Sequence, residues 1–100
     1  MKKIKEYVDL IEDELCSAKD YVEKALWYKA KDNSERYNTY KQMSMQELEH
    51  ALHLHQFAME DIEKLEKVYP DIPEEMMDKW EESHKEFVEK TAWIKQMQNM

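Results

Sequence analysis

One hundred residues is the length of one domain, with room for a core of modest size. The chain has no glycine and two prolines, which disfavours tight β-turns, and it is rich in the helix formers Glu, Lys, Met, Ala and Leu, so an all-α fold is expected. Its formal charge of −8 excludes nucleic acid and anionic membrane surfaces as expected partners, its single cysteine (Cys16) excludes an intrachain disulfide or a Cys-based zinc site, and no apolar run approaches the ~20 residues of a membrane span.

The opening "MKKIKEYVDLIEDEL" is basic at its start but interrupted by charge, which is not the pattern of a secretion signal. A cytoplasmic location is the expectation. Helix 1 is predicted over about residues 3–31. The first break follows in "AKDNSE", where Asp32 and Glu35 have the spacing of a capping box. Helix 2 then runs over about 33–69, roughly 54 Å at 1.5 Å per residue. The second break is "VYPDIPEE", where Asp71 and Glu74 repeat the capping spacing, and helix 3 covers about 72–98. Both connections are short, so the three helices are expected to run antiparallel in sequence order within one domain, 1–100.

Helix 1 carries a stripe at alternating steps of three and four: Ile4, Tyr7, Ile11, Glu14, Ala18, Tyr21, Ala25, Tyr28. Glu14 is its one charged member. Helix 2 carries Tyr40, Ser44, Glu47, Ala51, Leu54, Ala58, Asp61 and Leu65, with Glu47 in the middle. His50 lies three residues beyond Glu47 and borders it. Of the three histidines in "QELEHALHLH", only His50 flanks this seam. His53 points away with Glu49, and His55 belongs to a second apolar face with Leu48, Leu52, Met59 and Ile62.

The midpoint between Glu14 and Glu47 falls in "YKAKD", at the first turn, so in an antiparallel hairpin the two face each other at one level. A buried carboxylate without a partner costs several kcal/mol or takes up a proton. No Lys or Arg lies near them on either stripe, and a metal cation is the economical compensation. Glu14 with Glu47-x-x-His50 is half of the ligand set of a di-metal carboxylate bundle, which needs a lone Glu and a Glu-x-x-His twice over four helices. Helix 3 offers Glu81-x-x-His84 as alternative ligands, but these stand roughly 10 Å out of level with Glu47 and His50. The residues on helix 3 at the right height are near Thr91 and Ile94. A two-fold homodimer solves the deficit: two helix 1–helix 2 hairpins form a four-helix bundle and supply Glu14, Glu47 and His50 twice. Four carboxylates and two neutral imidazoles then hold two divalent ions with no net charge.

With these residues in place the chain resembles the ferritin-like superfamily, and rubrerythrin-like proteins in particular. "ELEHALHL" is similar to that family's Glu-x-Glu-His helix segment, Glu14 stands at a family-like separation before it, and Tyr21 is similar to the family's tyrosine near the site. The resemblance covers about residues 7–65, one hairpin. The second hairpin and the Cys-rich iron domain of rubrerythrins are absent from the sequence, and a half-size dimerising chain is similar to the encapsulated ferritins, which are loaded into a protein shell by a tail. The C-terminal "IKQMQNM" does not have the character of such a tail. The resemblance implies iron as the metal, with manganese or zinc as alternatives, and oxidation of Fe(II) by O2 or H2O2 as a ferroxidase or peroxidase. Tyr21 and Tyr40, each seven residues from a ligand Glu, are candidates to bond the ligands or pass electrons, or else are core tyrosines. The competing reading is a non-catalytic helical dimerisation or assembly protein, including a degenerate ferritin-like domain.

Overall fold

A computed structural model describes residues 2–69 and 71–100. Three helices follow one another: α1 (Lys2–Ala30), α2 (Ser34–Val68) and α3 (Glu74–Gln98), with no strand among the described residues. None of them is long and apolar enough to cross a membrane.

Backbone chemistry at the turns explains where the helices stop. Asp32 adopts a left-handed conformation (φ 57°), which Asp tolerates better than most residues. Its N–H donates to the Lys29 carbonyl (3.1 Å) and the Asn33 N–H to the Tyr28 carbonyl (3.0 Å), a Schellman termination of α1. The cap of α2 is therefore Asn33, whose Oδ1 accepts from the Arg36 N–H at 3.1 Å, and not Asp32 as the capping-box spacing suggests. Asp32 is already used to end the preceding helix. The second expected box also gives way: Pro73 occupies the N-cap of α3, with no side-chain cap bond, and Asp71 stands two residues too early to reach the first turn. Pro70 lies outside the described residues.

α1 and α2 form an antiparallel hairpin, and α3 runs back alongside α1 to give a rod of 56 × 18 × 17 Å. Val8 and Leu15 of α1 line one groove with Lys79 and Lys90 of α3, which sets the parallel sense of that pair. The hairpin interface is lined by small residues, Ala18 and Ala25 on α1 and Ser44, Ala51 and Ala58 on α2, all fully buried. Small side chains let two helix backbones approach closely. Larger apolar residues on the α3 side complete the core: Ile11 and Leu15, Leu48 and Ile62, and Trp80, Phe87 and Ile94 from α3. Burying each large aliphatic or aromatic side chain contributes about 1.5–3 kcal/mol. A polar pin crosses the core, as Ser44 Oγ donates to the Ala18 carbonyl (2.5 Å) and Gln98 Nε2 donates to Ser44 Oγ (3.0 Å). It joins all three helices and gives the buried Ser44 hydroxyl both an acceptor and a donor.

The core is displaced towards α3 relative to the stripes read from the sequence. Ile4, Ile11, Ala18 and Ala25 are buried, whereas the intervening Tyr7, Glu14, Tyr21 and Tyr28 are only half-buried. On α2, Ser44, Ala51 and Ala58 are buried while Tyr40, Glu47, Leu54 and Asp61 are half-buried. These intermediate residues form an open edge along the hairpin, on the side away from α3. One helix can cover only one flank of a hairpin, so the other is left to solvent.

The link between α2 and α3 is aromatic. His55, which is buried, stacks on Phe87 with ring centroids 4.0 Å apart and nearly parallel planes, and its Nε2 lies 2.8 Å from Nδ1 of His84. One imidazole donates and the other accepts. Burial first, and the neighbouring His84 second, hold the His55 imidazole below the ordinary histidine value of 6.5. As pH falls through about 6.5 the unfolded chain therefore binds a proton that the folded chain refuses, and stability falls. Urea unfolding at pH 7.5 and pH 5.5 is expected to show this loss in the wild-type chain and a smaller one in His55→Leu. An equal loss in both would place the titration at another group.

Candidate metal centre

Glu14 lies one turn before Ala18 on α1, and Glu47 one turn after Ser44 on α2. Since the helices are antiparallel and the Ser44–Ala18 bond fixes their register, both carboxylates arrive at the same level. His50 follows one turn beyond Glu47 on the same edge. One ligand atom from each of Glu14, Glu47 and His50 lies within 4.8 Å of the other two. His50 Nδ1 is 3.7 Å from Glu14 Oε2 and 3.9 Å from Glu47 Oε1. These separations are too long for hydrogen bonds. They suit donors around one ion, since ligands bonded at about 2.0–2.2 Å sit about 3–4 Å from one another.

Two further observations bear on whether a cation fits. Glu14 Oε2 is buried and has no hydrogen-bond partner, an orphaned acceptor directed at the His50 side. In addition, the Glu14 carboxyl is held above the usual carboxylate range. The adjacent Glu47 carboxyl, which a protonated Glu14 can hydrogen-bond, is the main cause, followed by burial and by the charge of Glu47, while His50 pulls in the opposite direction. Two carboxyls thus crowd one place with a single imidazole to offset them. A donor set of two carboxylates and an imidazole suits a divalent first-row metal ion.

The site is more open than the sequence pattern suggests. The Glu14 and Glu47 side chains keep 27% and 26% of their accessible surface, and that of His50 keeps 58%. Within one chain His50 lies on the outer rim of the edge, because the hairpin has nothing packed over it there. The other histidines take separate surfaces: His53 pairs with Glu49 (4.0 Å) on the exposed side of α2, and His55 faces α3. Glu81 and His84 do not join the cluster. His84 is spent on His55, and Glu81 is exposed on α3.

Tyr21 and Tyr40 lie on the same edge, nearer the first turn, with ring centroids 6.2 Å apart. Tyr40 stacks on Tyr28 (5.5 Å), and Lys24 Nζ lies 5.9 and 5.8 Å from the Tyr21 and Tyr40 rings. Among the described residues neither tyrosine hydroxyl bonds to Glu14, Glu47 or His50. They wall the site on its turn side and do not bind its ligands. At the far side Tyr7 donates to Asp61 Oδ2 (2.6 Å) and closes the edge with a polar contact. Sequence reasoning missed the His55–His84 pair. Its signal was present, because His55 shares helical spacing with Leu48 and Ile62, and His84 lies on the apolar stripe of α3.

No protein-family model matches this chain, and neither a curated protein nor a solved structure matches it.

The crowding of the two carboxyls has a consequence for the metal-free protein. Glu14→Gln removes the group that is costly to ionise, so its melting temperature in a chelating buffer at pH 7 is expected to rise by a few degrees. The opposite result, a fall, would show that the carboxylate is stabilised as it stands. Thermal unfolding followed by circular dichroism decides between them.

Proposed function

We propose that this chain is a ferritin-like di-iron carboxylate protein acting as a homodimer. Two α1–α2 hairpins pair along their open edges into a four-helix bundle and contribute Glu14, Glu47 and His50 twice. The observation that carries this reading is the convergence of those three ligand atoms within 4.8 Å on the edge that α3 leaves uncovered. Half-burial, a buried acceptor without a partner and a carboxyl held above its usual range are what an incomplete, charge-deficient half-site is expected to display.

In the paired arrangement each residue has a defined task. Glu14 and Glu47 supply carboxylate oxygens, and four such carboxylates balance two divalent ions. His50 supplies an imidazole nitrogen, and because protons compete with a metal ion for donors of these kinds, loading weakens in acid. Tyr21, Tyr28 and Tyr40 limit solvent access from the turn side. The chemistry supplied by bound iron is two-electron reduction of O2 to H2O2, or of H2O2 to two waters, each with uptake of two protons as two Fe(II) become Fe(III). Manganese or zinc would fit the same donors, and zinc would not support the redox step.

A second reading, a non-catalytic dimerisation or assembly module, is favoured by one observation of its own. Leu10 and Phe57 flank the edge and are about half exposed, an apolar surface that pairing covers with or without metal. An anaerobic Fe(II) titration followed by exposure to air separates the two. Di-iron function predicts about one ion per chain, oxidation on admission of air, and loss of both in Glu47→Ala. Binding no greater than that of a Glu14→Ala/Glu47→Ala control sinks the metal reading and leaves the assembly module.

A further inference from the structure

The ends of the open edge differ in charge. Around the first turn, residues 24–41 hold Lys24, Lys29, Lys31, Arg36 and Lys41 against Asp32 and Glu35, a local excess of cations in a chain of net charge −8. Elsewhere Lys3, Lys19, Lys67 and Lys90 sit beside carboxylates, those of Asp61, Glu23, Glu63 and Glu86. At this turn the cations lie over rings instead: Lys24 over Tyr21 and Tyr40, Lys31 over Trp27, and the Arg36 guanidinium over Tyr28 at 5.4 Å. Among the described residues, Lys24, Lys31, Arg36 and Lys41 have no carboxylate within ion-pair distance. At the other end, residues 2–7 and 60–67 hold five cations and five carboxylates, a balanced set.

A two-fold dimer that shares the Glu14–Glu47–His50 level can place its axis in two ways. An axis along the helices brings the two cationic turns together, and like charges repel. An axis across the helices stacks each helix on its own copy in the opposite direction, and each cationic turn then meets the balanced end of its partner. We infer that the partner on the open edge is a second copy of this chain related by a two-fold axis across the helices, with Arg36 of one chain paired to Asp61 of the other.

The pattern along α2 agrees with this register. An axis between Glu47 and His50 matches each residue with the one equally far on the other side. Leu54 then meets Met43 of the partner subunit, Phe57 meets Tyr40 of the partner subunit, and Asp61 meets Arg36 of the partner subunit. Apolar faces apolar, and the last pair is of opposite charge. Both members have capacity to spare. Tyr7 and Lys3 each contact Asp61 through Oδ2, which leaves Oδ1 available, and Arg36 uses only Nη1 within the chain, on the Tyr28 hydroxyl at 3.2 Å. On α1 the same axis sets Tyr7 opposite Tyr21 of the partner subunit. Two Arg36–Asp61 contacts per dimer, one at each end, would select this orientation over the like-charged one.

The inference rests on the paired-hairpin reading, and its test separates the two. A Cys16→Ser/Glu66→Cys chain carrying a spin label is measured by pulsed electron–electron double resonance, alongside its mass in solution. An axis across the helices predicts a label separation of about 50 Å, and an axis along them about 20 Å. Arg36→Asp is expected to weaken the dimer at least tenfold, and adding Asp61→Arg in the same chain to restore most of it. Asp61→Asn, which keeps an acceptor for Tyr7, is expected to weaken it as well should Asp61→Arg fail to fold. A dimer with the short separation, or a double variant no tighter than Arg36→Asp, overturns the register while the dimer stands. A monomer at every concentration, with and without metal, overturns both. The long separation in a chain that binds no Fe(II) supports the register and removes the di-iron reading alone.

Discussion

The bond from the Ser44 hydroxyl to the Ala18 carbonyl, set among alanines on both helices, is the constraint from which the rest of this molecule follows. Small residues bring the α1 and α2 backbones close. The hydroxyl then requires an acceptor, because a buried donor left unpaired costs roughly 1–3 kcal/mol. The observed register satisfies it through the Ala18 carbonyl. That register puts Glu14 and Glu47 at one height, Tyr7 beside Asp61 and Tyr21 beside Tyr40. Gln98 extends the same bond to the end of α3, so the third helix is anchored beside the carboxylates without touching them.

The second constraint is one of coverage. An α1–α2 hairpin has two flanks, and α3 covers one. Trp80, Phe87 and Ile94 make that flank a packed core. The other flank holds the half-buried tyrosines, the two carboxyls and, on its rim, an exposed imidazole. A carboxyl oxygen there has neither water-like exposure nor a protein donor. Pairing two such flanks would enclose the acids, and only then does a cation become the natural means of balancing them. Pairing and metal binding are therefore expected to reinforce one another, since a ligand that binds the folded dimer stabilises it.

The His55–His84 contact belongs to the covered flank and has a different character. It is an imidazole–imidazole contact within an aromatic stack, and burial of His55 there disfavours that ring's charged form. Acid therefore acts on α3 and its seat on α2, at a place removed from the carboxylates. Histidines five residues apart on one helix thus stand in unrelated settings, one rimming the carboxyl cluster and the other locking a helix.

Much of this was legible in the amino-acid sequence, and for definite reasons. The lack of glycine and the three-and-four spacing of apolar residues specify three helices, because helical periodicity is a local property. The breaks near Asp32 and Asp71 follow from local chemistry too, although the capping residues differ, Asn33 and Pro73 in place of Asp32 and Asp71. The common level of Glu14 and Glu47 follows from counting residues to a short turn. What the tertiary structure alone decided is how deeply each residue is buried. A stripe read from sequence has no knowledge of which flank a third helix will cover, so it placed Glu14, Glu47 and the tyrosines in the core when they stand at its edge. The same non-local choice put His84 on His55, because contacts between α2 and α3 depend on the path of the chain through its second turn and on the packing of α3 against α1. Periodicity determines which residues share a face. Only the packing of whole helices determines what that face meets.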